Sequence, residues 1–227
     1  MKQSQMNNPR IIAISDIHGC FNSFVDLLNK VNYNSSYDKL ILLGDYIDRG
    51  PYSYNVIRAI RGLRQKHPEG VICLRGNHEQ MCIDAFGYSN RLWDRNGGRA
   101  TRFNYDENGK YVSMDIPWMK TLPIHHTEGN YLFCHAGLTY PYLIDNTEDD
   151  LLWGRYWIET DDEPREKTVV FGHTPNPATM KPYRTMTGDI CIDGGGVYGG
   201  TFGAFIINPD LTIEIATVSL NDKDKIT

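Results

Sequence analysis

Three polar residues stand just beyond three apolar runs. Asp16 follows Ile11-Ile12-Ala13-Ile14, Asp45 follows Leu40-Ile41-Leu42-Leu43, and Asn77 follows Val71-Ile72-Cys73-Leu74. Two histidines repeat that position later in the chain, His135 after Tyr131-Leu132-Phe133-Cys134 and His173 after Val169-Val170-Phe171-Gly172, while His18 lies close behind Asp16. Two Asp, three His and one Asn form a nitrogen and oxygen donor set that suits Mn2+, Fe or Zn2+, with no thiolate to favour a softer metal. Six donors are too many for one four-coordinate zinc. They match two divalent ions sharing a bridging carboxylate.

The elements that must carry these residues are legible from periodicity. Each of the first three apolar runs leads into a helical stretch, around Phe24–Val31, around Tyr54–Lys66, and from Asn77 to about Phe86. In the second of these, Val56, Ile60 and Leu63 fall at i, i+4 and i+7, the spacing of one buried helix face. Apolar runs alternating with helices predict βαβ units and a buried, largely parallel sheet. Ligands bind at the carboxyl ends of such strands, so Asp16, Asp45 and Asn77 are expected in one crevice. Residues 87–129 read as a helix–loop excursion packed on the sheet. Strand-like runs resume at Tyr131–Cys134, Thr168–Phe171, Ile190–Ile192, Ala204–Ile207 and Thr212–Val218, and their close spacing predicts a second, mixed or antiparallel sheet. The expected fold class is α/β, an α+β sandwich of two packed sheets flanked by helices. It forms a single domain over residues 1–227, with polar tails at 1–9 and 221–227, the latter frayed.

The chain has 227 residues, 41% hydrophobic and 22% charged, with a net charge of −5. That is globular composition, large enough to bury a core without disulfides. The acidic balance argues against broad nucleic-acid binding. No apolar run is long enough to span a membrane, and the N-terminal residues lack the apolar core of a signal peptide. The five cysteines are widely spaced, with no C-x-x-C pair. The expectation is a cytoplasmic protein, a monomer, with no nucleic-acid or membrane partner.

Asp16-Ile17-His18-Gly19, Gly44-Asp45-Tyr46-Ile47-Asp48-Arg49-Gly50, Gly76-Asn77-His78-Glu79, His135-Ala136-Gly137 and Gly172-His173 together resemble the ordered motifs of the phosphoprotein phosphatases, a calcineurin-like metallophosphoesterase family. The short length and the Trp93…Asn96-Gly97-Gly98…Thr101 segment resemble its bacterial and phage serine/threonine protein phosphatase branch. The resemblance implies a β-sandwich fold and a phosphomonoesterase in which a metal-bridging hydroxide attacks the phosphorus. Asp16, His18 and Asp45 would hold the first metal; Asp45 would bridge, and Asn77, His135 and His173 would hold the second. Two divalent ions, two carboxylates and a bridging hydroxide sum to about +1, enough to draw a phosphate dianion to an acidic protein. Mn2+ is the leading ion, with Fe or Zn2+ as alternatives. Arg49 and Arg155 match the phosphate-clamping arginines, whose forked guanidinium fits two oxygens at once. Asn77 and His78 join them in binding phosphate. His78 is the candidate general acid, oriented and kept protonated by Asp48.

The implied substrate is a phosphoprotein carrying phosphoserine or phosphothreonine, or a small phosphoester. A competing enzymatic reading is symmetrical cleavage of diadenosine polyphosphates. The sister branch that does this typically lacks an acid at the position of Asp48 and has Asp at that of Glu79, which favours the protein-phosphatase reading. A catalytically dead phosphopeptide-binding module would have lost a ligand or the general acid, and none is missing. Several other signals read as structural. His125-His126 lacks a carboxylate at a strand end. Arg58, Arg61 and Arg64 recur every third residue opposite an apolar face and read as a solvated helix surface. The glycines at 194–196 and 199–200 precede a strand rather than a helix, so they shape a hairpin near the site rim and not a nucleotide loop.

Overall fold

The structure is a computed structural model that describes residues 8–88, 91–155 and 166–225. Of the expected tails, residues 1–7 and 226–227 lie outside the described residues. The chain opens with strand–helix units: β1 (Arg10–Ile14), α1 (Phe21–Lys30), β2 (Asp38–Leu42), α2 (Ser53–Lys66), β3 (Val71–Cys73) and α3 (Asn77–Tyr88). β1, β2 and β3 pair in parallel, in sequence order. Their apolar runs are continuous because the sheet is covered on both faces. Ile12, Ile14, Leu40 and Leu42 face one core beneath the helices, while the alternate residues Ala13, Ile41 and Leu43 face another.

The excursion expected over 87–129, of which residues 89 and 90 lie outside the described residues, supplies two helices, α4 (Arg99–Glu107) and α5 (Ile116–Lys120), but these pack on α2 and α3 rather than directly on the sheet, and it ends in a strand, β4 (His125–Glu128). There follow β5 (Tyr131–Cys134), α6 (Glu148–Trp153), β6 (Thr168–Phe171), β7 (Tyr183–Arg184), β8 (Ile190–Cys191), β9 (Asp193–Gly194), β10 (Thr201–Ile207) and β11 (Ile213–Ser219). The second sheet is mixed, in the order β4-β5-β6-β8-β7. The last strands do not belong to it. β10 pairs antiparallel with β1, β11 pairs with β10, and β9 joins β10, so the first sheet runs β11-β10-β1-β2-β3. Six of the seven β10 residues are buried, the pattern of an internal strand. The sheets pack through Ala13, Ile41, Leu43, Leu74, Phe205 and Ile207 on one side and Phe133, Val170, Ile190 and Ile192 on the other.

Two arginines expected on a solvated helix face are only partly exposed and are ion-paired. Arg58 and Arg61 both donate to Asp115, which is buried at the start of α5, and the Tyr105 hydroxyl donates to its second oxygen at 2.7 Å. A buried carboxylate requires such compensation, and α2 supplies it. His126, by contrast, has the structural role expected, bonded at 3.1 Å to Glu128, which also accepts from Lys39 at 2.6 Å.

The C-terminal segment through Lys225 is not frayed. α1 begins after Cys20, which provides no side-chain cap. The buried Asp224 does this instead. Its Oδ1 accepts the Asn22 N–H at 3.1 Å and side-chain amide at 2.8 Å, and its Oδ2 accepts the Ser23 N–H at 2.6 Å and hydroxyl at 2.7 Å. A carboxylate here satisfies orphan donors and complements the helix dipole. We expect Asp224→Ala to destabilise the protein by about 2 kcal/mol, the scale of charge-assisted capping bonds. An unchanged urea midpoint and slope would contradict this role.

Candidate metal and phosphate site

Asn77 and His78 open α3, but six other motif residues sit in the loops that follow strands and use backbone that L-residues rarely adopt. Asp16 (φ 51°), His18 (φ 46°), Asp45 (φ 55°), Asp48 (φ 76°), Arg49 (φ 70°) and His173 (φ 67°) are all left-handed. Such strain costs about 1–2 kcal/mol per residue, persists only when surroundings impose it, and clusters at functional sites. Here the loops brace one another: His18 N–H donates to Asp45 O at 2.8 Å, Gly19 N–H to Tyr46 O at 2.9 Å, and Gly172 N–H to His135 O at 2.8 Å. Two glycines allow the close approach. A Cβ at Gly76 would overlap the Asp45 carboxylate, and one at Gly172 would overlap that of Asp16.

The loops converge on Asp45, which is 1% exposed. Its Oδ1 lies 3.4 Å from His135 Nε2, and its Oδ2 lies 3.5 Å from His18 Nε2 and 3.9 Å from His78 Nε2. Asp45 Oδ1 also accepts the His78 N–H at 3.0 Å. Burial alone would raise the Asp45 carboxyl, but His135, His78 and His18 together hold it well below the usual range. Burial opposes charge on His135 as well, yet Asp45 and Asp16 raise it to about 9. His18 is driven well below its ordinary value by burial and by the nearby Arg49. Burial and the neighbouring His135 push His173 down to about 2.

Asp45 is common to two groups of donor atoms, one with His18 and His78, the other with His135 and His173. The ring orientations suit metal ligation. His18 Nδ1 and His135 Nδ1 each lie 3.0 Å from a backbone carbonyl, of Ile47 and Leu43, so each ring presents Nε2 to the centre. Asn77 Oδ1 lies between His135 Nε2 at 2.8 Å and His173 Nδ1 at 3.1 Å. Asp16 belongs to neither group of three but lines the same cleft beside them, its carboxylate taking the His173 N–H at 3.0 and 3.2 Å. Burial, with Asp45 nearby, raises it. Two carboxylates, convergent imidazoles and an amide oxygen form a donor set that fits divalent cations.

A cleft of about 430 Å3 opens over this cluster, and Asp16, His18, Asp45, Arg49, Asn77, His78, Arg155 and His173 line it. His135 and Asp48 do not. His135 is fully buried beneath Asn77 and Asp45, and Asp48 is buried behind His78. Asp48 Oδ2 takes His78 Nδ1 at 2.6 Å, and the Asp48 carboxylate also accepts Trp93 Nε1 at 2.9 Å and the Thr101 hydroxyl at 2.7 Å. Arg49 reaches His18 Nε2 and stacks over the Tyr198 ring at 5.2 Å. Arg155 is exposed and donates from Nε to His173 Nε2 at 3.3 Å.

Some neighbours of the site carried no assigned role in the sequence, Glu79 being known there only as part of its motif. Asp193 lines the cleft, and burial, with Asp16 nearby, raises its carboxyl well above the usual range. It follows the apolar run Ile190–Ile192, so the rule that finds Asp16 and Asp45 would also find Asp193. Glu79 ties the β2 loop to α3, accepting the N–H groups of Asp45 at 2.8 Å, Tyr46 at 2.9 Å and Gly76 at 3.0 Å. Asn96, already part of the Trp93…Thr101 segment, forms part of the rim, as do Trp153 and Tyr198, which carry no sequence signal of their own. Gly195 and Gly196 are also on the rim, where the glycine-rich run was placed.

A symmetrical bis(5'-nucleosyl)-tetraphosphatase from Aromatoleum aromaticum is 33% identical over 133 residues, covering 56% of this chain and 44% of that protein. The chain thus spans under half the length of that curated relative. Serine/threonine-protein phosphatase 1 of Salmonella typhimurium is 29% identical over 200 residues, covering 83% of this chain and 87% of that one. In structure, the chain is similar to a protein serine/threonine phosphatase from Saccharomyces cerevisiae, with a TM-score of 0.72 and 16% identity over 96% of this chain and 82% of that one, a likeness of fold. Among the described residues no helix is long and apolar enough to cross a membrane. Residues 9–205 match the calcineurin-like phosphoesterases, enzymes that use divalent metals, and the chain belongs to that family.

Proposed function

We propose that this phosphoesterase is a phosphomonoesterase acting on phosphoserine and phosphothreonine in proteins. The observation that carries the reading is the buried Asp48–His78 hydrogen bond of 2.6 Å. A serine or threonine alkoxide is a strongly basic leaving group and needs a proton as it departs. A nucleotide leaving from a dinucleotide polyphosphate departs as a weakly basic phosphate and needs none. His78, held through Nδ1 by Asp48, keeps Nε2 on the cleft side, the geometry of a donor to that alkoxide. The similarity to the Salmonella protein phosphatase, which covers 83% of this chain and 87% of that one, supports the same choice.

Asp16, His18 and Asp45 would hold one divalent ion, and Asp45, Asn77, His135 and His173 the other, with Mn2+ the ion we propose. The chemistry such ions supply when bound is Lewis acidity toward phosphoryl oxygens and activation of water at neutral pH. Arg49 and Arg155, both in the cleft lining, would grip the phosphate, aided by Asn77 and His78. Trp93 and Thr101 keep Asp48 in place as a hydrogen-bond acceptor. Symmetrical cleavage of diadenosine polyphosphates is the second reading. It is favoured by similarity to the tetraphosphatase relative and by the aromatic rim, where Trp153 and Tyr198 could stack a base.

Two experiments test these roles. Isothermal titration with Mn2+ should show two sites in the metal-stripped protein, both lost in Asp45→Ala because both donor groups share that residue, and both kept in Asp48→Asn. Selective loss of one site in Asp45→Ala would sink the shared-ligand assignment. Asp48→Asn should lower kcat/KM on a phosphoserine peptide by about 10²–10³, within the range of general acid catalysis, yet change p-nitrophenyl phosphate or diadenosine tetraphosphate by under tenfold. Equal losses on every substrate would exclude the proton-donor role. Turnover of the dinucleotide alone would select the second reading.

A further inference from the structure

Segment 91–102 carries four arginines and one aspartate in a chain whose net charge is −5. Arg102 is engaged, bonded to Asp94 at 3.1 Å and stacked over Trp93 at 4.4 Å. Arg91, Arg95 and Arg99 are exposed and make no ion pair among the described residues. They do not scatter over the surface. Together with Asp94 they line one cleft of about 250 Å3.

That cleft adjoins the phosphate site. Asn96, between Asp94-Arg95 and Gly97, lines the catalytic cleft, and Gly97 O accepts the Arg49 N–H at 3.4 Å. Trp93, at the start of the same turn, holds Asp48. The same segment of chain therefore contributes to both clefts, Asn96 to the catalytic one and Arg91, Arg95 and Arg99 to the other.

We propose that Arg91, Arg95 and Arg99 form an anion-binding subsite that takes acidic side chains flanking the phosphoresidue of a protein substrate. The proposal rests on the phosphomonoesterase reading above. Guanidinium forks bind carboxylates bidentately, and three on one wall suit a short run of Asp or Glu. The overall negative charge of the protein confines this attraction to the local patch, which suits an acidic peptide better than a long nucleic acid.

The test compares two phosphoserine peptides, one flanked by Asp residues and one with Asn in their place, on the Mn2+-loaded wild type and on the triple variant Arg91→Gln/Arg95→Gln/Arg99→Gln. The wild type should prefer the acidic peptide by about tenfold in kcat/KM, carried by KM, as expected for two or three exposed ion pairs. The preference should fade in 0.5 M salt and vanish in the triple variant, with p-nitrophenyl phosphate turnover unchanged. Equal kcat/KM for both peptides, or a preference retained by the variant, overturns the subsite. Binding of an unphosphorylated Asp-rich peptide, followed by calorimetry in both proteins, decides the matter without turnover. Binding lost in the variant supports the subsite even if neither phosphopeptide is hydrolysed, in which case the phosphomonoesterase reading alone fails. No binding to the wild type overturns the subsite. A variant that raises KM for diadenosine tetraphosphate while leaving peptide kinetics and binding unchanged assigns the arginines to a distal phosphate and likewise overturns it.

Discussion

Burying the Asp45 carboxylate dictates much of what surrounds it. A carboxylate removed from water has to recover its lost hydration from fixed partners, and Asp45 finds them in three imidazoles and the His78 backbone N–H. A second buried carboxylate, Glu79, lies close enough that burial and the Asp45 charge push it up to about 7. Glu79 is tolerated because three backbone N–H groups from the β2 and β3 loops point at it. Those same bonds fix the loops that carry Asp45 and Asn77. The acidic charge that makes the site a cation trap thus also supplies the ties that hold its loops in left-handed backbone.

A second shell of contacts reaches the centre from outside the sheets. Asp48 is fully buried, and burial raises its carboxyl, opposed by its bonds to His78, Thr101 and Trp93. Two of those donors come from the excursion between α3 and β4. The same excursion supplies Asp115, whose buried charge draws Arg58 and Arg61 across from α2. A segment with weak periodicity and a mixed composition therefore does two jobs, packing α2 and orienting the histidine of the cleft.

The strand-end donors were legible in the sequence because each follows an apolar run, and a parallel sheet brings its carboxyl ends together. β1, β2 and β3 and their helices followed from periodicity for the same reason. The placement of β10 did not. Its apolar run is compatible with either sheet, and only its pairing with β1 on one side and β11 on the other decides the matter. β7 and β9 are two residues each and carry no periodic signal at all. The compensation of Asp115 and the capping of α1 by Asp224 were invisible because they join residues distant in sequence, where a lone Asp or Arg reads as surface. The three arginines beside the cleft needed the kinked turn at 94–98 to bring them to one wall, which residue spacing alone could not disclose.

The position of β10 and Asp224 also bears on how the chain comes off the ribosome. The first strand–helix units emerge early, with Asp16, His18 and Asp45 already in them, but β1 has an unpaired edge until Thr201–Ile207 arrives. The α1 N-terminus waits longer still, since Asn22 and Asp224 are 202 residues apart. Closing so long a loop is slow, though its entropic cost grows only gently with length. At a typical elongation rate of about 5–20 residues per second, the nascent N-terminal half spends on the order of ten seconds or more with an exposed apolar strand edge. The first strand of the sheet is thus among the last to be covered on both edges.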